Sequence, residues 1–112
     1  MVKLKLLTTL TDSDGNPLPN KTIEFYRSTD GVNYTLLGTA TTDTNGQAYI
    51  FDEVTVRGTY YYKARFPGDP DYESAEDVET FTYRLEEVKR PWWALIVADL
   101  VVKIGLSTIK KK

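Results

Sequence analysis

The segment from Gly58 to Tyr72, GTYYYKARFPGDPDY, constrains the fold more than any other stretch of the chain. After Gly58-Thr59 it alternates strictly, with Tyr60, Tyr62, Ala64 and Phe66 on one face and Tyr61, Lys63 and Arg65 on the other. Period-two alternation rich in aromatics describes a half-buried β-strand. Pro67-Gly68-Asp69-Pro70-Asp71 ends it, because proline donates no ladder hydrogen bond and Gly68 admits a positive φ. Tyr60, Tyr62 and Phe66 need a second sheet to cover them, so this is the expected central strand of a sandwich.

The remaining strands follow the same period. Met1–Leu10 sets Lys3 and Lys5 between leucines, which suits a first strand and lacks the unbroken apolar core of a secretory signal. Lys21–Arg27 turns Ile23 and Phe25 inward, and Asp30-Gly31 is a hairpin signal before the threonine-rich run Tyr34–Thr42. Asp43–Gly46 turns the chain into Gln47–Phe51, with Ala48 and Ile50 inward, and Val78–Leu85 forms a last strand behind Phe81 and Tyr83. The fold class expected is all-β, an antiparallel sandwich of six or seven strands over residues 1–86, then a linker at 87–91 and a hydrophobic segment at 92–112.

Composition narrows the function. With 41% hydrophobic and 27% charged residues, the 112-residue chain has the make-up of one folded domain. A net charge of −2 gives no long-range attraction for nucleic acid, so no nucleic-acid partner is expected. Histidine and cysteine are both absent, which excludes disulfides, Ser-His-Asp or Cys-His catalysis and the usual zinc sites. Carboxylate pairs of the glycosidase kind are still available, but the 16 acids fall mostly in turns and at outward strand positions. The chain is therefore expected to be no enzyme, with no catalytic residue, cofactor or metal. Asp12, Asp14 and Asn16 carry the opening spacing of a calcium loop, yet Gly15 comes too early, Pro17 follows, and Ile23 stands where the loop's glutamate belongs. A side-chain-capped turn explains them better.

Three runs of residues in register carry a resemblance. They are Thr22–Tyr26; Leu37–Asp43 with Asn45-Gly46 and Ala48; and Gly58-Thr59-Tyr60 with Ala64, Phe66, Gly68-Asp69 and Tyr72. Together, over about residues 2–86, they resemble the bacterial Ig-like domains. The resemblance implies an Ig-like sandwich acting as a non-catalytic spacer or adhesive module outside the cell. With the tail, the expected function is a structural or adhesive module of a cell-surface, virion or filament assembly, held by its C-terminal hydrophobic segment. The single copy and the unusual tail depart from that pattern. Transthyretin-like and carbohydrate-binding sandwiches share similar turns, so a ligand-binding module is the alternative, with Tyr26, Tyr61 and Trp93 as the aromatics a sugar platform would need. Asn20-Lys21-Thr22 and Asn33-Tyr34-Thr35 are N-glycosylation sequons, making Asn20 and Asn33 candidate sites, although chance in a threonine-rich chain accounts for them more readily.

The tail is read as a membrane helix. From Trp92 to Ile109 only Asp99 and Lys103 are charged, and a helix of that length spans about 27 Å, near the hydrocarbon thickness. Trp92 and Trp93 at one end and Lys110–Lys112 at the other resemble interfacial anchors, and Asp99 can pair with Lys103 one turn on. The expected partners are a membrane, through residues 92–109, and further copies of the chain, with Trp92, Trp93, Asp99 and Lys103 at the contacts and the sandwich outside the cell or on a virion. An ordinary amphipathic helix is a weaker reading. A strand is the main rival, since Ala98, Leu100, Val102, Ile104 and Leu106 also alternate with polar or small residues and could extend a neighbouring subunit's sheet.

Overall fold

The structure, a computed structural model, describes residues 2–83 and 100–112. These form β1 (Val2–Asp12), β2 (Thr22–Ser28), β3 (Thr35–Thr41), β4 (Gln47–Val54), β5 (Gly58–Phe66), β6 (Ala75–Tyr83) and β7 (Leu100–Ile109), with no helix among the described residues. They make two sheets, one ordered β3-β2-β5-β6 and the other β4-β1-β7.

The aromatic strand lies inside its sheet as expected. β5 pairs antiparallel with β2 on one side and with β6 on the other, and Tyr60, Tyr62, Ala64 and Phe66 are all buried. Ile23 and Phe25 of β2 join them, and Ile50 and Phe81 pack against the cluster while staying partly exposed. Leu4, Leu6, Thr8 and Leu10 supply the facing row from β1, and Ala48 and Val54 from β4. Two layers thus close over one core, which is what two half-apolar sheets must do.

The tail overturns the helix reading. Residues 100–109 are extended as β7, which pairs parallel with β1, so the sandwich does not end at residue 86 and not every strand pair is antiparallel. Val102, Ile104 and Leu106, which the helix would have turned to lipid, face the other sheet and are buried. The reason is tertiary. An open β1 edge offers a ladder to any segment of period two, and β-branched Val102 and Ile104 suit a pleated surface better than a helix. The rival strand reading therefore describes residues 100–109, but the strand completes its own chain's sheet rather than a neighbour's. No helix among the described residues is long and apolar enough to cross a membrane.

A bulge finishes the seam. Leu10 pairs with Leu106, but two residues later Asp12 pairs with Ile109, so β7 carries one extra residue. Thr108 takes up the slack at φ 59, and the shift returns Ile109 to the core at 2% exposure.

Candidate functional site

The parallel seam between β1 and β7 is the first feature with functional geometry. Its register runs unbroken from Leu4–Leu100 to Leu10–Leu106. Halfway along, the buried Thr8 hydroxyl donates to the Ile104 carbonyl, so a polar group in the core is satisfied across the seam itself.

Past β7 the chain is held again. The Glu73 amide donates to the Lys110 carbonyl and the Lys112 amide to the Asp71 carbonyl, each at 2.8 Å, with Tyr72 and Lys111 bridged antiparallel between them. The turn that receives Lys110–Lys112 is organised in advance. One Asp69 carboxylate oxygen accepts the Asp71 and Tyr72 amides at 2.8 Å, and the other meets the Lys21 ammonium, which also lies over the Tyr72 ring. The Lys21 hydrogen bond, aided by those two amides, holds the Asp69 carboxyl below the usual aspartate range despite some desolvation. Gly68 makes the turn possible at φ 86, where a Cβ would come within 3.1 Å of the Ser74 nitrogen.

At the opposite pole the sheets are joined by charge. Arg27 on β2 reaches across to Asp52 on β4, its Nη1 donating to the two carboxylate oxygens at 3.0 and 2.8 Å. The hydroxyl of fully buried Tyr62 on β5 donates to the same carboxylate at 2.8 Å. Burial, and then Asp52, push the Tyr62 phenol further up, so it stays a donor across the working pH range. Burial works against the Arg27 charge, but the hydrogen bonds and charge of Asp52 outweigh it and hold the guanidinium protonated more firmly still. Three partners on three strands therefore brace the layers rather than exchange protons. Sequence reasoning missed this network. The available signal was a charge of each sign in the inward phase of its strand: Arg27 after Ile23 and Phe25, and Asp52 after Ala48 and Ile50.

The residues singled out from sequence are not brought together. Trp92, Trp93 and Asp99 lie outside the described residues. Lys103 is exposed on the outward row of β7, opposite Leu7, so it does not occupy a helical position one turn from Asp99. Asn20 is exposed at φ 59 beside the start of β2, and exposed Asn33 uses its side-chain amide to donate to Asp30 at 2.8 Å. Tyr26 and Tyr61 share the outer face of the four-stranded sheet and are both half-buried, Tyr26 lying under the Lys63 ammonium with its hydroxyl on Glu24. The Asp12 carboxylate accepts the Asp14 and Asn16 amides at 2.9 Å, as a capped turn requires.

No family model matches the chain, and no curated protein does. Solved structures do. A stretch of the Bacillus anthracis TIE protein is similar to it with a TM-score of 0.55 and 23% identity, covering 98% of this chain and 17% of that one. Catechol 1,2-dioxygenase from Acinetobacter sp. ADP1 is similar with a TM-score of 0.53 and 15% identity, covering 96% of this chain and 53% of that one. This chain thus spans about a sixth of the first protein and about half of the second. At such identities the likeness is one of fold, a β-sandwich.

Proposed function

We propose that this chain is a non-catalytic structural module of a surface or filament assembly and that it carries tension along its strands. One observation carries the reading: β1 and β7 run parallel and are paired over most of their lengths. A segment joined before β1 and one joined after β7 would leave at opposite poles. A pull between them would load the β1–β7 hydrogen bonds together, in shear, instead of peeling them off one at a time. The Arg27–Asp52–Tyr62 brace at one pole and the docked Lys110–Lys112 at the other would keep either end from opening first. The resemblance to bacterial Ig-like modules agrees with this, as does the likeness to a small part of a longer protein.

Force spectroscopy tests it. The chain has no cysteine, so substituted cysteines make unique handles. Handles at Lys3→Cys and Lys110→Cys pull β1 and β7 in shear. Handles at Lys3→Cys and Glu53→Cys pull apart two register partners of the antiparallel β1–β4 pair from one end. The shear pair should rupture at several-fold higher force. Equal forces would remove the basis for a tension-bearing module.

A further inference from the structure

A groove of about 530 Å³ opens at the pole where β1 begins, beside the Arg27–Asp52 brace. Its walls include Arg27, Thr29, Glu53, Thr55, Arg57 and Thr59, with Tyr60 at the floor. That volume falls within the range of small-molecule sites. The floor is built in advance: the Tyr60 hydroxyl is tied to the Val56 carbonyl, which fixes the turn between β4 and β5, and the Arg27 guanidinium lies 6.0 Å from the Tyr60 ring centroid.

The donors decide what could sit there. Arg27 spends only Nη1 on Asp52, so among the described residues its Nε and Nη2 hydrogens have no protein acceptor, and its side chain is 34% exposed. A guanidinium locked on one side and open on the other presents a rigid fork for a planar oxyanion. Exposed Arg57 has no ion-pair partner among the described residues and adds a second cation. Charge then selects the anion. Asp52 already neutralises Arg27, and Glu53, which also lines the groove, offsets Arg57, so the groove is close to neutral overall. A near-neutral groove with one open guanidinium fork tolerates a monoanionic carboxylate better than a phosphate dianion, which brings about twice the uncompensated charge. The threonine hydroxyls nearby suit a ligand that carries hydroxyls of its own.

We infer that this groove binds an acidic sugar, its carboxylate on the open side of Arg27 and beside Arg57, and its hydroxyls against Thr29, Thr55 and Thr59. The inference is independent of the tension-bearing reading, since it concerns one pole and not the seam.

The test titrates the full chain with D-glucuronate, D-glucose and inorganic phosphate while following backbone amide NMR shifts. Glucuronate should give saturable shifts centred on Thr29, Thr55, Arg57 and Gly58, with glucose giving none and phosphate saturating more weakly. Arg57→Ala lies on an exposed turn and should fold, and it should weaken glucuronate about tenfold, as expected for a lost charge-assisted hydrogen bond. Arg27→Lys keeps a charge for Asp52 but removes the fork, and should weaken glucuronate in the same way; its amide spectrum reports directly whether it has folded. Non-saturating glucuronate shifts spread over surface lysines such as Lys103 would overturn the site. Glucose binding as tightly as glucuronate would overturn the role of the arginines, and phosphate binding more tightly would overturn the sugar acid as ligand. Undiminished glucuronate binding by Arg57→Ala would do the same for the second cation.

Discussion

The two sheets reach the same core by different means. The four-stranded sheet contributes rings, with Phe25, Tyr60, Tyr62 and Phe66 buried from β2 and β5, whereas the three-stranded sheet contributes aliphatic chains, chiefly Leu4, Leu6, Leu10, Ile104 and Leu106. Their wiring differs as well. In the four-stranded sheet β2–β3 and β5–β6 are neighbours in sequence, joined by the loops 29–34 and 67–74. The seam of the three-stranded sheet joins residues far apart, the Thr8 hydrogen bond to Ile104 spanning 96 positions. Closing a long loop costs entropy before any contact is gained, so local pairs form readily and the β1–β7 seam is expected to form last. One sheet is thus the expected nucleus and the other the expected closure.

The largest effect should come from the ring-packed sheet. Phe25→Ala removes a fully buried ring facing the opposite layer and should cost about 3–5 kcal/mol in a denaturant melt, with a slower folding rate to match. Ile104→Ala in the closing strand should cost toward the lower end of about 2–5 kcal/mol, because an edge strand relaxes around the cavity more easily. Its kinetic signature should be the opposite one, faster unfolding with folding almost unchanged. Stopped-flow chevrons on the two variants check both claims. If Ile104→Ala slows folding as much as Phe25→Ala, the distinction between nucleus and closure fails.

The same difference explains how much could be read from sequence. β2, β4 and β5 announce themselves through alternation bounded by Asp30-Gly31, Asn45-Gly46 and Gly68, because each of those signals acts within a few residues. β7 could not be settled that way. Val102, Ile104 and Leu106 satisfy a period of two, while the wider run from Trp92 satisfies an apolar helix, and the deciding partner, β1, lies about a hundred residues away. The Arg27–Asp52–Tyr62 brace was hidden for a related reason, since its members sit on three strands and become neighbours only when the layers close. Thr8 was equally silent: a threonine among leucines says nothing until Ile104 arrives to accept its hydroxyl.

The smallest effect, and the one that sharpens the comparison most, concerns the point where the two sheets meet beyond β7. Asp69 organises the turn that receives Lys110–Lys112, and its carboxyl is held below the normal aspartate range, first by Lys21 and then by the amides of Asp71 and Tyr72. A depressed folded-state pKa means that the unfolded chain binds the proton more readily, so the stabilisation is complete above the unfolded value of about 3.9 and is lost as pH falls through the folded one. Asp12 and Asp30 shift in the same direction through their own turn hydrogen bonds, so acid should loosen those turns too. What singles out Asp69 is where the loosening is felt. As pH drops below about 4, hydrogen exchange should quicken at the Glu73 and Lys112 amides, which bond across to Lys110 and Asp71, before it quickens at Phe25 in the ring-packed sheet. Asp69→Asn should abolish most of that pH dependence by exchanging quickly at those amides even at neutral pH. If Glu73, Lys112 and Phe25 instead lose protection together, the closing strand and the nucleus open as one unit, and the docked terminus is no weaker than the core it covers.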